Sequence, residues 1–264
     1  MNPSPRVEYW RSRRRKGHRI FAAACASPDE ARALLPLAPD LLVYHPDFPE
    51  RSAQGETGLL SALVSLGNAN QDAERGVPAL LPLCAPCPVA MGVCWADPFM
   101  LRGPSFTAWR SSGLEGVVNF PTIGLVDGFF RADLDASGLG LAQEIEGLRQ
   151  AHAEGFFTMA LACRPEDAAA FSEAGCDILV IHLGLTADAL PRPFASARKE
   201  SLSAYLAAMK TASVGPLLLL HGDHLTGGND ESAWKAMGPE EGLDGLFAAG
   251  GTLRVKALRA LAPA

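Results

Sequence analysis

Apolar runs recur along this chain at eight places, each bounded by turn residues and separated from the next by a stretch of helical character. They are His18–Ala26, Asp40–His45, Pro88–Trp95, Gly116–Phe120, Phe156–Ala162, Asp177–Leu183, Pro216–His221 and Gly245–Ala249. Such alternation marks parallel strands joined by crossover helices. Runs such as Ile178-Leu179-Val180-Ile181 are apolar at every position. A strand needs this when helices cover its outer face and packed side chains fill the inner one. An open doubly wound sheet meets the same pattern, but the number of runs and the lack of a Gly-rich fingerprint after the first favour a closed (β/α)8 barrel. One barrel of roughly 250 residues accounts for the 264-residue chain. A single α/β domain over 1–264 is therefore expected, with 1–17 as a basic helix before the first strand.

With 48% hydrophobic and 20% charged residues, the chain can bury a large core. A net charge of −6 gives no clustered positive field, so no nucleic-acid partner is expected. The exception is the run Arg11, Arg13, Arg14, Arg15, Lys16 and Arg19. Followed by the apolar Ile20–Ala26 and a lipobox-like Ala-Ala-Cys25, it can be read as an export signal. That apolar stretch lies at the short limit of a signal core, and Ser27-Pro28 already opens a helix, so a solvated amphipathic helix leading into a buried strand fits better. No apolar run nears the roughly 20 residues needed to span a bilayer. The 6 cysteines form no regular ladder, and Cys84-Ala-Pro-Cys87 alone is a weak zinc signal. Reduced, mostly buried thiols and a cytoplasmic location are expected.

Helix starts are legible at Ser27-Pro28-Asp29-Glu30 and Arg164-Pro165-Glu166-Asp167, where proline and acids occupy the first turn. Helices are expected to follow over Ala31–Leu35 and Ala168–Ala174. The interval Gly55–Ala85 predicts a helix from about Gly58 and a second after Pro78.

Barrel active sites are built at the carboxyl ends of the strands, so polar residues there carry information. His45 ends the second run, Asp97 follows the third, Asn119 ends the fourth, His182 ends the sixth, and His221 with Asp223 and His224 ends the seventh. Imidazoles at such tips can ligate a metal or pass protons near neutral pH, or each can satisfy a local carbonyl. The loop from Asn119 to Arg131 supplies an amide, the Asp127 carboxylate and a planar cation. Arg131 suits a substrate carboxylate or phosphate, or else pairs with Asp127 to hold the loop. Glu144 and Glu146 cannot share a helix face, and Glu144 is favoured as the one pointing to the site. Gly250 and Gly251 follow the last run, where barrels often bind phosphate. Gly227-Gly228-Asn229-Asp230 reads equally as a flexible turn.

The segments Asn119-Phe120-Pro121-Thr122-Ile123-Gly124-Leu125-Val126-Asp127-Gly128, Phe130-Arg131, Glu144-Ile145-Glu146, Ala174-Gly175-Cys176-Asp177 and His182-Leu183-Gly184-Leu185-Thr186 together resemble the phosphoenolpyruvate hydrolase-like proteins. That family of TIM barrels is also related to a domain of the tomato virus-resistance protein Tm-1. The resemblance implies a barrel and a small oxo- or enol-acid ligand. It carries Asn119, Asp127, Arg131, Glu144, His182 and His221 as matching positions. The chain departs from the family pattern at His45-Pro46-Asp47-Phe48, at Asp223-His224, and at Gly250, Gly251 and Leu253. A changed ligand is implied.

The leading expectation is a hydrolase or lyase that handles the enolate of a small carboxylated or carbonyl compound, by hydrolytic or retro-aldol-type C–C cleavage or by addition of water. His182 and His221 would trade protons, with Glu144 or Asp127 orienting them. Asn119, Thr122, Arg131, Asp97, Gly250 and Gly251 would contact substrate. His45, Asp223 and His224 are metal-ligand types, so a divalent zinc, manganese, iron or magnesium ion held with His182 or His221 is a further expectation. The alternative is a non-catalytic small-molecule sensor or interaction module. Phe129, Phe130 and Trp109 would suit a homo-oligomer contact, or a lid.

Overall fold

Eight parallel strands pair in chain order, β1 to β8, and β8 pairs back onto β1 to close the barrel. The computed structural model describes residues 4–46, 68–182, 197–221, 242–249, 255–256 and 259. The strands are β1 Ile20–Cys25, β2 Leu41–Tyr44, β3 Val89–Val93, β4 Gly116–Asn119, β5 Phe157–Ala162, β6 Ile178–Ile181, β7 Leu217–His221 and β8 Gly245–Ala248. The described helices are α1 Pro5–Arg15, α2 Pro28–Leu34, α3 Ala69–Cys84, α4 Arg102–Ser112, α5 Gly128–Ala136, α6 Leu141–Ala153, α7 Pro165–Glu173 and α8 Ala197–Ala212.

Side chains alternate across each strand, so two apolar layers arise from one set of runs. Ile20, Ala22, Leu41, Val43, Ala90, Val118, Met159, Val180, Leu219 and Phe247 fill the barrel interior. Their neighbours, among them Phe21, Leu42, Met91, Val117, Leu179 and Leu220, pack outward against the helices. Register pairs such as Ala22 with Leu41 and Val118 with Met159 keep like-facing residues level across neighbouring strands.

The basic N-terminal segment is a plug rather than a merely solvated helix. Ser4 caps α1, and Pro5 opens it. Val7 and Trp10 enter the barrel's lower end, where the Trp10 ring meets Phe157 edge-on at 5.2 Å. The arginines then bind acids and carbonyls just before the strands. Arg6 pairs with Glu115 at 2.8 Å, Arg14 with Asp244 at 2.7 Å and Arg13 with Asp40, while Arg11 donates to the Gly215 carbonyl at 3.2 Å. Partly exposed pairs of this kind contribute about 0–1 kcal/mol each. Burial of Trp10 therefore holds the plug, and the charges set its direction.

Two further expectations are corrected. The break after Pro78 is absent: α3 runs through both Pro78 and Pro82. Each proline removes a hydrogen bond and crowds the preceding turn, but the face carrying Ala73, Val77, Leu80 and Cys84 is buried and keeps the helix whole. The helix expected from Gly58 lies outside the described residues. Trp109 is not an exposed contact either. It is 3% exposed, packs against Phe106, Trp95 and Phe156, and donates to Glu74 at 2.8 Å. Phe129 and Phe130 are exposed, as expected.

The cysteines are free thiols. Burial pushes Cys87 and Cys176 up to about 12, which leaves both as protonated, inert groups. No helix among the described residues is long and apolar enough to cross a membrane.

Candidate active site

The inward rows of β2, β6 and β7 each end in histidine. His45 follows Leu41 and Val43, His182 follows Ile178 and Val180, and His221 follows Leu217 and Leu219, each two residues on and so on the same face. All three are buried. The rings of His182 and His221 lie 4.4 Å apart at 54°, and His221 lies 5.1 Å from Phe247. On the opposite wall His45 meets Phe120 edge-on at 4.5 Å. β3 brings only Gly92 to this layer. A Cβ there would stand 2.8 Å from the Phe120 carbonyl oxygen and 3.0 Å from His45 Nδ1, so the missing side chain is what admits both groups.

Tyr205 of α8 ties this layer down from behind. Its hydroxyl donates to the carbonyls of Cys163 and His182, at 2.9 and 3.0 Å. Burial pushes it up from the ordinary phenol value, so it remains a donor at any ordinary pH. Nothing in the sequence marks Tyr205, because its partners are backbone carbonyls of distant strands. Phe120, Phe247 and Gly92 do carry a signal: counting by twos along each run places them level with the histidines.

The motif residues of the β4 loop face the other way. Asn119 shares the parity of Val117 and turns outward, where it is fully buried. Its Nδ2 donates to Glu144 Oε2 at 2.7 Å, to Thr122 Oγ1 at 3.2 Å and to the Leu161 carbonyl at 3.2 Å, while its Oδ1 accepts from Leu161 N–H at 2.7 Å. Glu144, from the first turn of α6, also accepts from the Thr122 hydroxyl at 2.8 Å and from Ile123 N–H at 2.6 Å. Burial carries its carboxyl up to about 7 against the pull of these donors. In this arrangement Asn119, Thr122 and Glu144 lock the loop to β5 and α6. The substrate contact expected of Asn119 is directed away from the mouth, because the fourth strand's register gives that position to Val118 and Phe120.

Arg131 is likewise committed. It is 8% exposed and binds Asp135 at 3.0 Å, Asp167 at 3.3 Å and the Ile123 carbonyl at 3.3 Å. These contacts join α5 to α7 and to the β4 loop, so the alternative pairing with Asp127 does not form. Asp127 sits exposed at the cap of α5. Asp97 accepts from Phe99 N–H at 2.9 Å and from Asn70 at 3.1 Å, which folds the β3 loop. Asp223, His224, Gly250 and Gly251 lie outside the described residues.

A sequence model of the phosphoenolpyruvate hydrolase-like family matches residues 11–261. The chain is 31% identical over 250 residues to the ToMV susceptible protein tm-1(GCR26) of Solanum lycopersicum, an alignment covering 93% of this chain and 33% of the tomato protein. It thus spans about a third of that relative's length. Among solved structures, 2,3-dimethylmalate lyase, a PEP mutase/isocitrate lyase superfamily member, superposes with a TM-score of 0.57 at 12% identity, over 98% of this chain and 85% of that one. A phosphonopyruvate hydrolase in complex with oxalate and Mg2+ superposes with a TM-score of 0.56 at 13% identity, over 97% and 83%. At these identities the likeness is one of fold.

Mg2+ takes oxygen ligands in octahedral geometry. The mouth layer here offers imidazoles, while Asp97 and Glu144 are spent on internal hydrogen bonds. Among the described residues no three His, Cys, Asp or Glu side chains gather as a metal site. The described residues do not fit a resident Mg2+.

Proposed function

The chain belongs to the phosphoenolpyruvate hydrolase-like family, and on that footing we propose that it is an enzyme acting on a small carboxylated or carbonyl compound through an enolate. The observation that carries this is the layer of His45, His182 and His221 at the barrel's carboxyl end, in contact with Phe120 and Phe247. Imidazoles at positions otherwise filled by aliphatic side chains have a high desolvation cost, which a proton-transfer role accounts for. Two rings 4.4 Å apart disfavour a doubly charged pair, so in this cycle one of His182 and His221 acts as the base and its neighbour as the acid. The neutral ring takes the proton from the carbon beside the carbonyl, and the charged ring donates to the enolate oxygen. Positioned acid–base groups of this kind contribute roughly 10²–10⁴-fold. Reversal of these transfers returns the keto form with its α hydrogen exchanged; in retro-aldol cleavage the neutral ring instead takes the β-hydroxyl proton, the Cα–Cβ bond breaks to a carbonyl product and an enolate, and the charged ring protonates that enolate at carbon.

The internal commitment of Asn119, Glu144 and Arg131 favours a second reading, a sensor that binds a small acid without turning it over. Substitution His182→Asn separates the two on a panel of 2-oxo acids and β-dicarbonyls. An enzyme loses turnover while calorimetry still registers the ligand, whereas a sensor loses affinity and has no turnover to lose.

A further inference from the structure

A cleft of about 300 Å3 opens between the loop after β3 and the start of α6. Its walls include Trp95, Asp97, Met100, Arg102, Leu139 and Gln143. It lies outside the barrel wall, because Trp95 belongs to the outward-packed layer with Met91 and Val93. Its volume is at the low end for small-molecule sites.

Arg102 is half-buried, and all of its hydrogen-bond acceptors are neutral. It donates to Gln143 Oε1 at 2.8 Å, to the Gln143 carbonyl at 3.2 Å and to Gln150 Oε1 at 3.4 Å. No carboxylate among the described residues pairs with it, and Glu146, whose charge it feels, is bonded to Arg149 and Gln150. Its guanidinium lies over the Trp95 ring, 5.8 Å from the centroid. Trp95 is 2% exposed, and its buried indole N–H has no hydrogen-bond partner. An unmet buried donor costs about 1–3 kcal/mol. Two helices, α4 and α6, also begin at the cleft with Leu101 and Gly140 as caps, neither of which supplies a side-chain cap bond. Asp135 satisfies only the Leu141 N–H there, at 3.2 Å. Asp97, the one acid in the wall, has an oxygen on Phe99 N–H and the other on Asn70.

An unneutralised guanidinium lining the cleft, the buried indole of Trp95 beneath it with an unpartnered donor, and two helix starts at its edges share a single chemical complement, an oxyanion. We propose that this cleft is a second binding site, separate from the barrel mouth, for the carboxylate or phosphate group of a small molecule. The apolar Met100 and Leu139 walls receive the rest of that ligand.

The test uses the full chain labelled with 15N-tryptophan, with the Trp95 indole resonance assigned by its loss in Trp95→Phe. Inorganic phosphate and acetate are the probes, and chloride is the ionic-strength control. The expected result is a saturable movement of the Trp95 resonance with phosphate, acetate or both, the stronger response naming the preferred anion. The movement persists in His182→Asn, and in Arg102→Gln it needs at least tenfold more anion. The wild-type titration decides the matter even if Arg102→Gln does not fold. No saturable response at roughly 10 mM, ten times a Kd of ~1 mM, overturns the proposal. So does a response that chloride reproduces, or one that His182→Asn abolishes.

Discussion

Glu144 is where burial and hydrogen bonding pull hardest against each other, and replacing it with glutamine measures which wins. The carboxyl is 1% exposed, and three donors converge on it from Asn119, Thr122 and Ile123. Those donors favour the ionised form, yet burial outweighs them and carries the group up to about 7. A carboxyl raised above its unfolded value stabilises the fold fully below that unfolded value, and the contribution is lost as pH rises through the folded one. At ~1.4 kcal/mol for each tenfold change in proton affinity, the loss between about pH 5 and about pH 8 is about 2–3 kcal/mol. Glutamine is neutral throughout and carries no such dependence, while other groups titrate equally in both proteins. Urea unfolding of wild type and Glu144→Gln at both pH values should therefore show the wild-type advantage shrinking by about 2–3 kcal/mol from pH 5 to pH 8. An advantage that is constant, or that grows with pH, refutes the reasoning and gives the three donors the upper hand.

Trp10→Ala should cost about 3–5 kcal/mol, since it empties the lower end of the barrel; a loss under about 1 kcal/mol in urea unfolding would mean that α1 is not a plug. Gly92→Ala places a methyl against the Phe120 carbonyl and His45 Nδ1. It should cost about 1–3 kcal/mol and shift the His45 ring resonances, and unchanged resonances would contradict the packing described here. His152 hydrogen-bonds Asp177 at 3.2 Å, which raises it above the ordinary histidine value. Its stabilising effect is then present below that ordinary value and lost as pH rises through the folded one. The stability gap between wild type and His152→Gln should be wider at about pH 5.5 than at about pH 8.5, and equal gaps would remove Asp177 as the cause.

The barrel was legible because its strands are apolar at nearly every position, as a strand packed on both faces requires. Helix continuity through Pro78 was not, since it depends on which face of α3 is buried rather than on the proline. At the site, the histidines could be read as strand tips, whereas the outward turn of Asn119 emerges only once its run is counted by twos against Phe120. One residue of register decides between the mouth and the helix layer, and Asn119, Thr122 and Arg131 look equally apt for substrate until that choice is known. Arg131 finds Asp167 from 36 residues away, Arg13 finds Asp40 from 27, and Tyr205 binds only carbonyls. Pairings of that separation leave no local pattern. The basic run of α1 was read as solvent-facing for the same reason: its partners precede β2, β4, β7 and β8.

Deuterium incorporation at the carbon beside the carbonyl, followed by proton NMR across 2-oxo acids and β-dicarbonyls, tests the central claim most directly. Run with wild type, His182→Asn and His221→Asn, it isolates proton transfer from any later bond cleavage. Catalysed exchange of at least one compound by wild type, reduced roughly 10²-fold or more in each variant, is the predicted result. Exchange that both variants retain at the wild-type rate would contradict the account, because the proton would then be moving without the paired imidazoles.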